Sequence, residues 1–210
     1  MSNTIDFYFD FSSPYGYLMA EKIDALAAQY GRQVKWHPIL LGIVFKATGS
    51  APLTLQNPAK ASYSLLDFAR SARFMGLPYR HPSKFPLATQ NAARAYYWLD
   101  GQDCGLARQF ALAAYRALFV HDQDISAPEV VFEIASKLGV QRAPQEAPLG
   151  CSTLENALQT PEIKARLKDE VDGAIAAGVF GSPHVIIDGE AFFGADRLPQ
   201  IEQWLKTGGF

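Results

Sequence analysis

Apolar and polar positions alternate with a period of two over Ile5-Asp6-Phe7-Tyr8-Phe9-Asp10-Phe11, and the aromatic and β-branched content of that run predicts a strand. From Ser13 the period lengthens. Leu18, Met19, Ile23, Leu26, Ala27 and Tyr30 recur every three or four residues, the spacing of a helix with one buried face, and Gly31 stops it. Val34 to Leu40 reads as a second strand, so the opening segment is a β-α-β unit whose crossover should be right-handed. Between about residues 45 and 175 the strand pattern disappears, and Ala, Leu, Arg and Gln dominate. Helical periodicity predicts segments from Asn57-Pro58 to about Met75, from Leu87 to Leu99, from Leu106 to Val120 and from Ser126 to Gly139. A short helical piece follows Cys151, and Thr160-Pro161 opens a long helix to Ala177. Gly49 to Gln56 and Gln141 to Gly150 read as loops.

The C-terminal segment returns to strand texture. His184 to Ile187 and Glu190 to Phe193 flank Asp188-Gly189, a two-residue turn that favours positive φ. Asp196 is placed to cap a last helix from Arg197 to Leu205, with Leu198, Ile201 and Leu205 on one face. A β-α-β start and a β-β-α end make an α/β fold with a thioredoxin-like sheet. Its halves are residues 1–44 and 178–210, and residues 45–177 form an all-helical domain inserted between them.

Composition adds the outer bounds. With 210 residues, 49% hydrophobic and 19% charged, the chain can bury a sizeable core. A net charge of −2, with both signs mixed along the chain, gives no footprint for nucleic acid or an anionic membrane. The start of the chain lacks a basic and apolar leader, and no stretch reaches the roughly 18 apolar residues of a membrane helix. The expectation is a cytoplasmic protein. Cys104 and Cys151 belong to no C-x-x-C pair and read as reduced, buried fillers. His37, His81, His121 and His184 have no metal-ligand spacing, and no metal site is expected. A nucleotide-binding glycine loop and a G-x-S-x-G nucleophile elbow are both missing.

Chemistry concentrates where the first strand meets the first helix. Ser13 precedes Pro14, so its hydroxyl can cap the helix while proline takes a position whose amide would be unpaired anyway. Ser12 is the neighbouring candidate. The aromatic residues Tyr15, Phe45, Tyr63, Phe68, Tyr96, Tyr97 and Trp98 read mainly as core facing the sheet, with one or two lining an apolar cleft.

Three motifs then carry a family resemblance: D-F-x-S-P-Y at Asp10 to Tyr15, P-A-K at Pro58 to Lys60, and G-S-P-x-x-I-x-D-G-E-x-F-x-G-A-D-R-L from Gly181 to Leu198. In their order and spacing the chain resembles the DsbA-type thioredoxin superfamily. Within it, the chain is similar to the 2-hydroxychromene-2-carboxylate isomerases, relatives of the kappa-class glutathione transferases. Redox members carry C-x-x-C where this chain has Ser13-Pro14-Tyr15-Gly16, so it has no dithiol to cycle. The resemblance implies glutathione as cofactor, a small aromatic substrate, and a homodimer. The reaction it implies opens 2-hydroxychromene-2-carboxylate to trans-o-hydroxybenzylidenepyruvate, a step in naphthalene-type catabolism. Ser13 would be the catalytic residue, holding the glutathione sulfur in its thiolate form. The implied glutathione-binding set is Ser13, Pro14, Tyr15, Lys60, Ser182, Pro183, Ala195, Asp196 and Arg197. Pro183 would follow a cis bond, leaving the backbone of Ser182 for the cysteinyl part, and Asp196-Arg197 would take the γ-glutamyl end. Ser50 stands where relatives carry an asparagine contact, Phe193 where tryptophan is common, and His184 where an aromatic is usual. A kappa-like transferase and a redox-inactive thioredoxin-like binding protein are the alternatives.

Overall fold

Alternation along the first strand buries one face completely. Ile5, Phe7 and Phe9 of β1 (Thr4–Phe9) lie fully inside the core, joined by Val34 and Trp36 from β2 (Gln33–Pro38) and by Val185 and Ile187 from β3 (His184–Ile187). With β4 (Glu190–Phe193) these strands form one sheet in the order β2-β1-β3-β4. β1 and β2 are parallel, as the β-α-β reading requires, whereas β3 runs antiparallel to both β1 and β4. The computed structural model describes residues 3–140 and 153–210, so the loop expected at Gln141 to Gly150 and the burial expected of Cys151 lie outside the described residues.

The first helix, α1 (Pro14–Gln29), starts at Ser13-Pro14 as the sequence predicts and ends before Gly31, whose φ is +65°. β1 stops at Phe9, two residues short of the expected end. Phe11 leaves the strand but stays buried, its ring 5.3 Å from those of Phe9 and Tyr115. Between the sheet's two halves run α2 (Leu41–Thr48), α3 (Pro58–Phe74), α4 (Gln90–Asp100), α5 (Cys104–Phe119), α6 (Pro128–Lys137), α7 (Leu154–Ala157) and α8 (Pro161–Ala176). Asn57, Asp103 and Thr160 accept hydrogen bonds from amides in the first turns of α3, α5 and α8, which explains where those helices begin. α2 was not expected from the pattern. Cys104 corrects another reading: it opens α5 as an exposed residue, because the apolar face of that helix begins at Ala107.

Alanines at the facing surfaces of α4 and α5 are buried, and small side chains let two helices approach closely. Tyr96 and Tyr97 of α4 then reach the sheet. Their hydroxyls donate to the carbonyls of Trp36 and Pro38, at 3.2 and 2.8 Å, and dock the helical layer on β2. On the other face, His37 of β2 lies between Asp6 of β1 and Glu170 of α8, both at 3.0 Å. The hydrogen bond from His37 holds the Glu170 carboxyl below the ordinary glutamate range. A folded-state value below the unfolded one adds stability that is present above the unfolded value, about 4.3, and is lost as pH falls through the folded one. Glu170→Gln should therefore cost more stability near neutral pH than in acid. Urea denaturation at both pH values checks this, and equal losses would contradict it.

After β4, Ala195–Arg197 form a 3-10 turn that leads into α9 (Leu198–Thr207). Asp196 makes no side-chain capping bond to this helix, contrary to expectation, because the 3-10 turn places it away from the α9 amides and its carboxylate pairs with Arg197 at 2.6 Å. The hairpin turn is as expected, with Asp188 at φ +52° and Gly189 at +89°. No helix among the described residues is long and apolar enough to cross a membrane.

Candidate active site

Ser13 sits at the N-cap of α1 with extended backbone (φ −94°, ψ 113°) and is 5% exposed. Its Oγ accepts from the Gly16 amide at 3.0 Å and donates to the Ser182 carbonyl at 2.9 Å. The Tyr17 amide bonds to the Ser13 carbonyl. Pro14 has no amide hydrogen, so the donor left over in the first turn is the Tyr15 amide, which finds no acceptor among the described residues. A partial positive charge gathers there, as at any helix N-terminus.

Ser182 belongs to the loop before β3, and the Ser182-Pro183 peptide is cis. Its Oγ accepts from the Asp10 amide at 3.0 Å, which locks the loop to the end of β1. Its carbonyl takes the Ser13 hydroxyl, and a carbonyl oxygen has a second lone pair for a further donor. Gly16 completes the arrangement by being small. A Cβ there would meet the Tyr115 hydroxyl at 2.6 Å, Ser182 Oγ at 2.9 Å and Ser13 Cβ at 3.0 Å. Gly16→Ala is expected to cost about 1–3 kcal/mol by overpacking, read from urea unfolding, and an unchanged midpoint would show that Tyr115 moves aside freely.

These groups form part of the floor of a cleft of about 1830 Å³ between α1, α2, α3, the 3-10 turn and the loops before α4 and β3. Ser13, Pro14, Tyr15, Ser182, Ala195, Asp196 and Arg197 all line it. Lys60 and Pro183 do not. Lys60 is in the first turn of α3, its amide bonded to Asn57 and its side chain exposed; it stands three and seven residues before Tyr63 and Asp67, on the stripe of α3 that meets the cleft but beyond the end of its lining. Ser50 lies on the cleft wall. Of the aromatic residues read mainly as core, with one or two at a cleft, four line it, Tyr15, Phe45, Tyr63 and Phe68, while Tyr96 and Tyr97 are core. The Tyr15 hydroxyl donates to Asp67, and burial together with that bond raises its pKa far above the ordinary phenol value. Tyr15 is therefore a neutral wall residue.

Sequence reasoning missed three contributors. Asp10 is buried and turned toward the cleft, Thr89 bonds it from the residue before α4, and Tyr115 reaches its carbonyl from α5. An aspartate at the end of a strand that is otherwise aromatic was the available signal. Thr89 and Tyr115 carried none, being distant in sequence.

The family model of the DSBA-like thioredoxin domain matches residues 4–206. A 2-hydroxychromene-2-carboxylate isomerase from Sphingobium xenophagum is 29% identical over 206 residues, covering 98% of this chain and 99% of that one. Glutathione S-transferase kappa 2 from Caenorhabditis elegans is 26% identical, covering 96% and 91%. Among solved structures, a 2-hydroxychromene-2-carboxylate isomerase superimposes with a TM-score of 0.82 at 24% identity, covering 97% of this chain and 94% of that one.

Proposed function

From the premise that the chain belongs to the DSBA-like thioredoxin domain family, with its helices inserted between the two halves of the sheet, we propose that it is a glutathione-dependent isomerase. Its substrate would be 2-hydroxychromene-2-carboxylate, converted to trans-o-hydroxybenzylidenepyruvate in naphthalene-type catabolism. The observation that carries this reading is Ser13, a capping hydroxyl at the mouth of a helix N-terminus, where a dithiol relative would hold its reactive sulfur. Isomerases of this name and kappa transferases are its relatives over nearly the whole chain, and a Pseudomonas aeruginosa disulfide reductase with the same fold is a complex with glutathione.

The cleft suits a thiol peptide. The unpaired Tyr15 amide and the α1 dipole favour a negative charge in front of Ser13. The Ser13 hydroxyl, whose proton rests on the Ser182 carbonyl, is the donor that can turn toward that charge. Asp196 and Arg197 lie at the cleft edge, where a carboxylate can meet an ammonium group and a guanidinium a carboxylate. Glutathione, when bound, supplies a thiol that adds as thiolate to a conjugated carbon–carbon double bond and is expelled after rotation about it. Apolar side chains such as Leu41, Phe45, Phe85 and Phe180 line the same cleft and exclude water from an aromatic ring. The same reading makes the protein a cytoplasmic homodimer.

Following the chromene carboxylate by absorbance, with and without glutathione, tests the proposal. Equal rates with and without the thiol would defeat it. An accumulating conjugate would favour the kappa-like transferase, which the kappa relatives support, and no turnover of either kind would favour a redox-inactive binding protein. Arg197→Ala should raise the glutathione concentration needed for half-maximal rate by about tenfold, in line with loss of a charge-assisted contact. An unaltered requirement would remove Arg197 from the site.

A further inference from the structure

Asp10 has more bonds than any other side chain at the cleft floor. Oδ1 accepts from the Ser12 amide at 2.7 Å, the Ser12 hydroxyl at 2.8 Å and the Thr89 hydroxyl at 3.0 Å, while Oδ2 accepts from the Leu41 amide at 2.6 Å. The three donating residues belong to the entrances of three different helices or their flanks. Ser12 precedes α1, Leu41 is the first residue of α2, and Thr89 is the N-cap residue of α4. Leu40 and Thr89 make no side-chain cap of their own helices, so one buried carboxylate faces three helix N-termini at once. All four donors are neutral. The titratable group that faces Asp10 from α5 is Tyr115, which donates to its carbonyl at 3.0 Å and which burial holds neutral. Lys22 of α1, Lys46 of α2, Asp67 of α3 and the Asp196–Arg197 pair line the same cleft without a hydrogen bond to Asp10. Burial raises the Asp10 carboxyl above the ordinary range, and the four hydrogen bonds pull against that rise. The bonding pattern, with donors on every side, is that of a carboxylate.

The backbone of Asp10 also fixes the serine pair. Its amide donates to Ser182 Oγ, and its carbonyl accepts from the Ser13 amide at 2.9 Å. The carboxylate is thus carried on a residue whose backbone bonds both Ser13 and Ser182, and it holds the residue next to Ser13 by two hydrogen bonds of its own. We propose that Asp10 is a positioning residue whose negative charge opposes ionisation of a thiol held at the α1 N-terminus, so that the thiol titrates near the working pH. The inference rests on the reading that a thiol binds at Ser13. Its physical sense is that a helix N-terminus alone makes a thiolate too stable, and nucleophilicity falls as the thiol becomes more acidic. An opposing charge restores it.

The test does not need glutathione. Ser13→Cys places a thiol at the site itself, and its ionisation is read from thiolate absorbance as a difference from the parent chain, which carries Cys104 and Cys151. Adding Asp10→Asn should lower the pKa of that thiol by about one unit, because a like charge has been removed. Thr89→Val, which keeps the charge and removes one hydrogen bond, should leave it within a few tenths of a unit. A thiol that titrates no lower after Asp10→Asn than before it overturns the proposal, as does an equal shift in both variants. Should the chain carrying Asp10→Asn fail to fold, Ser13→Cys alone suffices: carbon NMR of the Asp10 carboxyl must show a step at the pH where the thiol ionises. A carboxyl signal blind to that step overturns the proposal. If these shifts appear while the unmodified protein ignores glutathione, Asp10 keeps its role and the glutathione reading fails.

Discussion

Ser13→Ala is expected to cut turnover about 10²-fold while changing the glutathione requirement by no more than about threefold, the signature of a donor that matters once charge sits on sulfur. The reasoning starts from how Ser13 spends its hydrogen bonds. It accepts from Gly16 and donates to Ser182, so in the free chain it is a satisfied cap. Losing the cap costs about 1 kcal/mol of stability, too little to unfold a core of this size. Loss of rate would therefore report the missing hydroxyl rather than a missing fold. Steady-state kinetics with both substrates varied, beside a urea titration, separates the two. Turnover left intact by Ser13→Ala would return the residue to the role of cap and shift attention to the Tyr15 amide.

Phe9→Ala should produce the largest loss of stability, about 3–5 kcal/mol. Phe9 ends β1 fully buried, stacked on Phe7 at 5.0 Å and edge-on to Phe11, Trp36 and Tyr96 at 5.3, 5.4 and 6.2 Å. Removing the ring opens a cavity among aromatic neighbours too large to collapse into it. Phe9→Leu keeps more of the volume and should cost less. Urea midpoints give both numbers, and a loss below about 1 kcal/mol for the alanine variant would mean that the cluster repacks. Because Asp10 follows directly, activity should fall together with stability here, unlike in Ser13→Ala.

How much of this could be read in advance depended on the range of the interactions. Alternation from Ile5 to Phe9, the Ser13-Pro14 start and the Asp188-Gly189 turn are local signals, and each describes the structure that forms. α2 was invisible because its first amide is capped by Asp10, 31 residues away, rather than by a residue beside it. The same distance hid the function of Asp10. Asp196 looked like a cap because aspartate before an apolar period usually is one, but the intervening 3-10 turn spends the residue on Arg197. Of the candidate site, Ser13, Ser182 and the Asp196–Arg197 pair do share one cleft, whereas Lys60, on the stripe of α3 that carries Tyr63 and Asp67, falls beyond the end of its lining, because a motif records order along the chain and not where a cleft ends.

The contact between Gly16 and Tyr115 bears on how this chain could change its trade. A C-x-x-C dithiol here requires cysteines at both Ser13 and Gly16, and any side chain at the second position meets the Tyr115 hydroxyl at its Cβ. Giving up that hydroxyl first removes the bond it makes to Asp10. Either order passes through a less stable sequence, so gaining the dithiol is a crossing between two adaptive peaks and not a slope. The tyrosine works as a ratchet: it holds the first turn of α1 to a sequence without a dithiol.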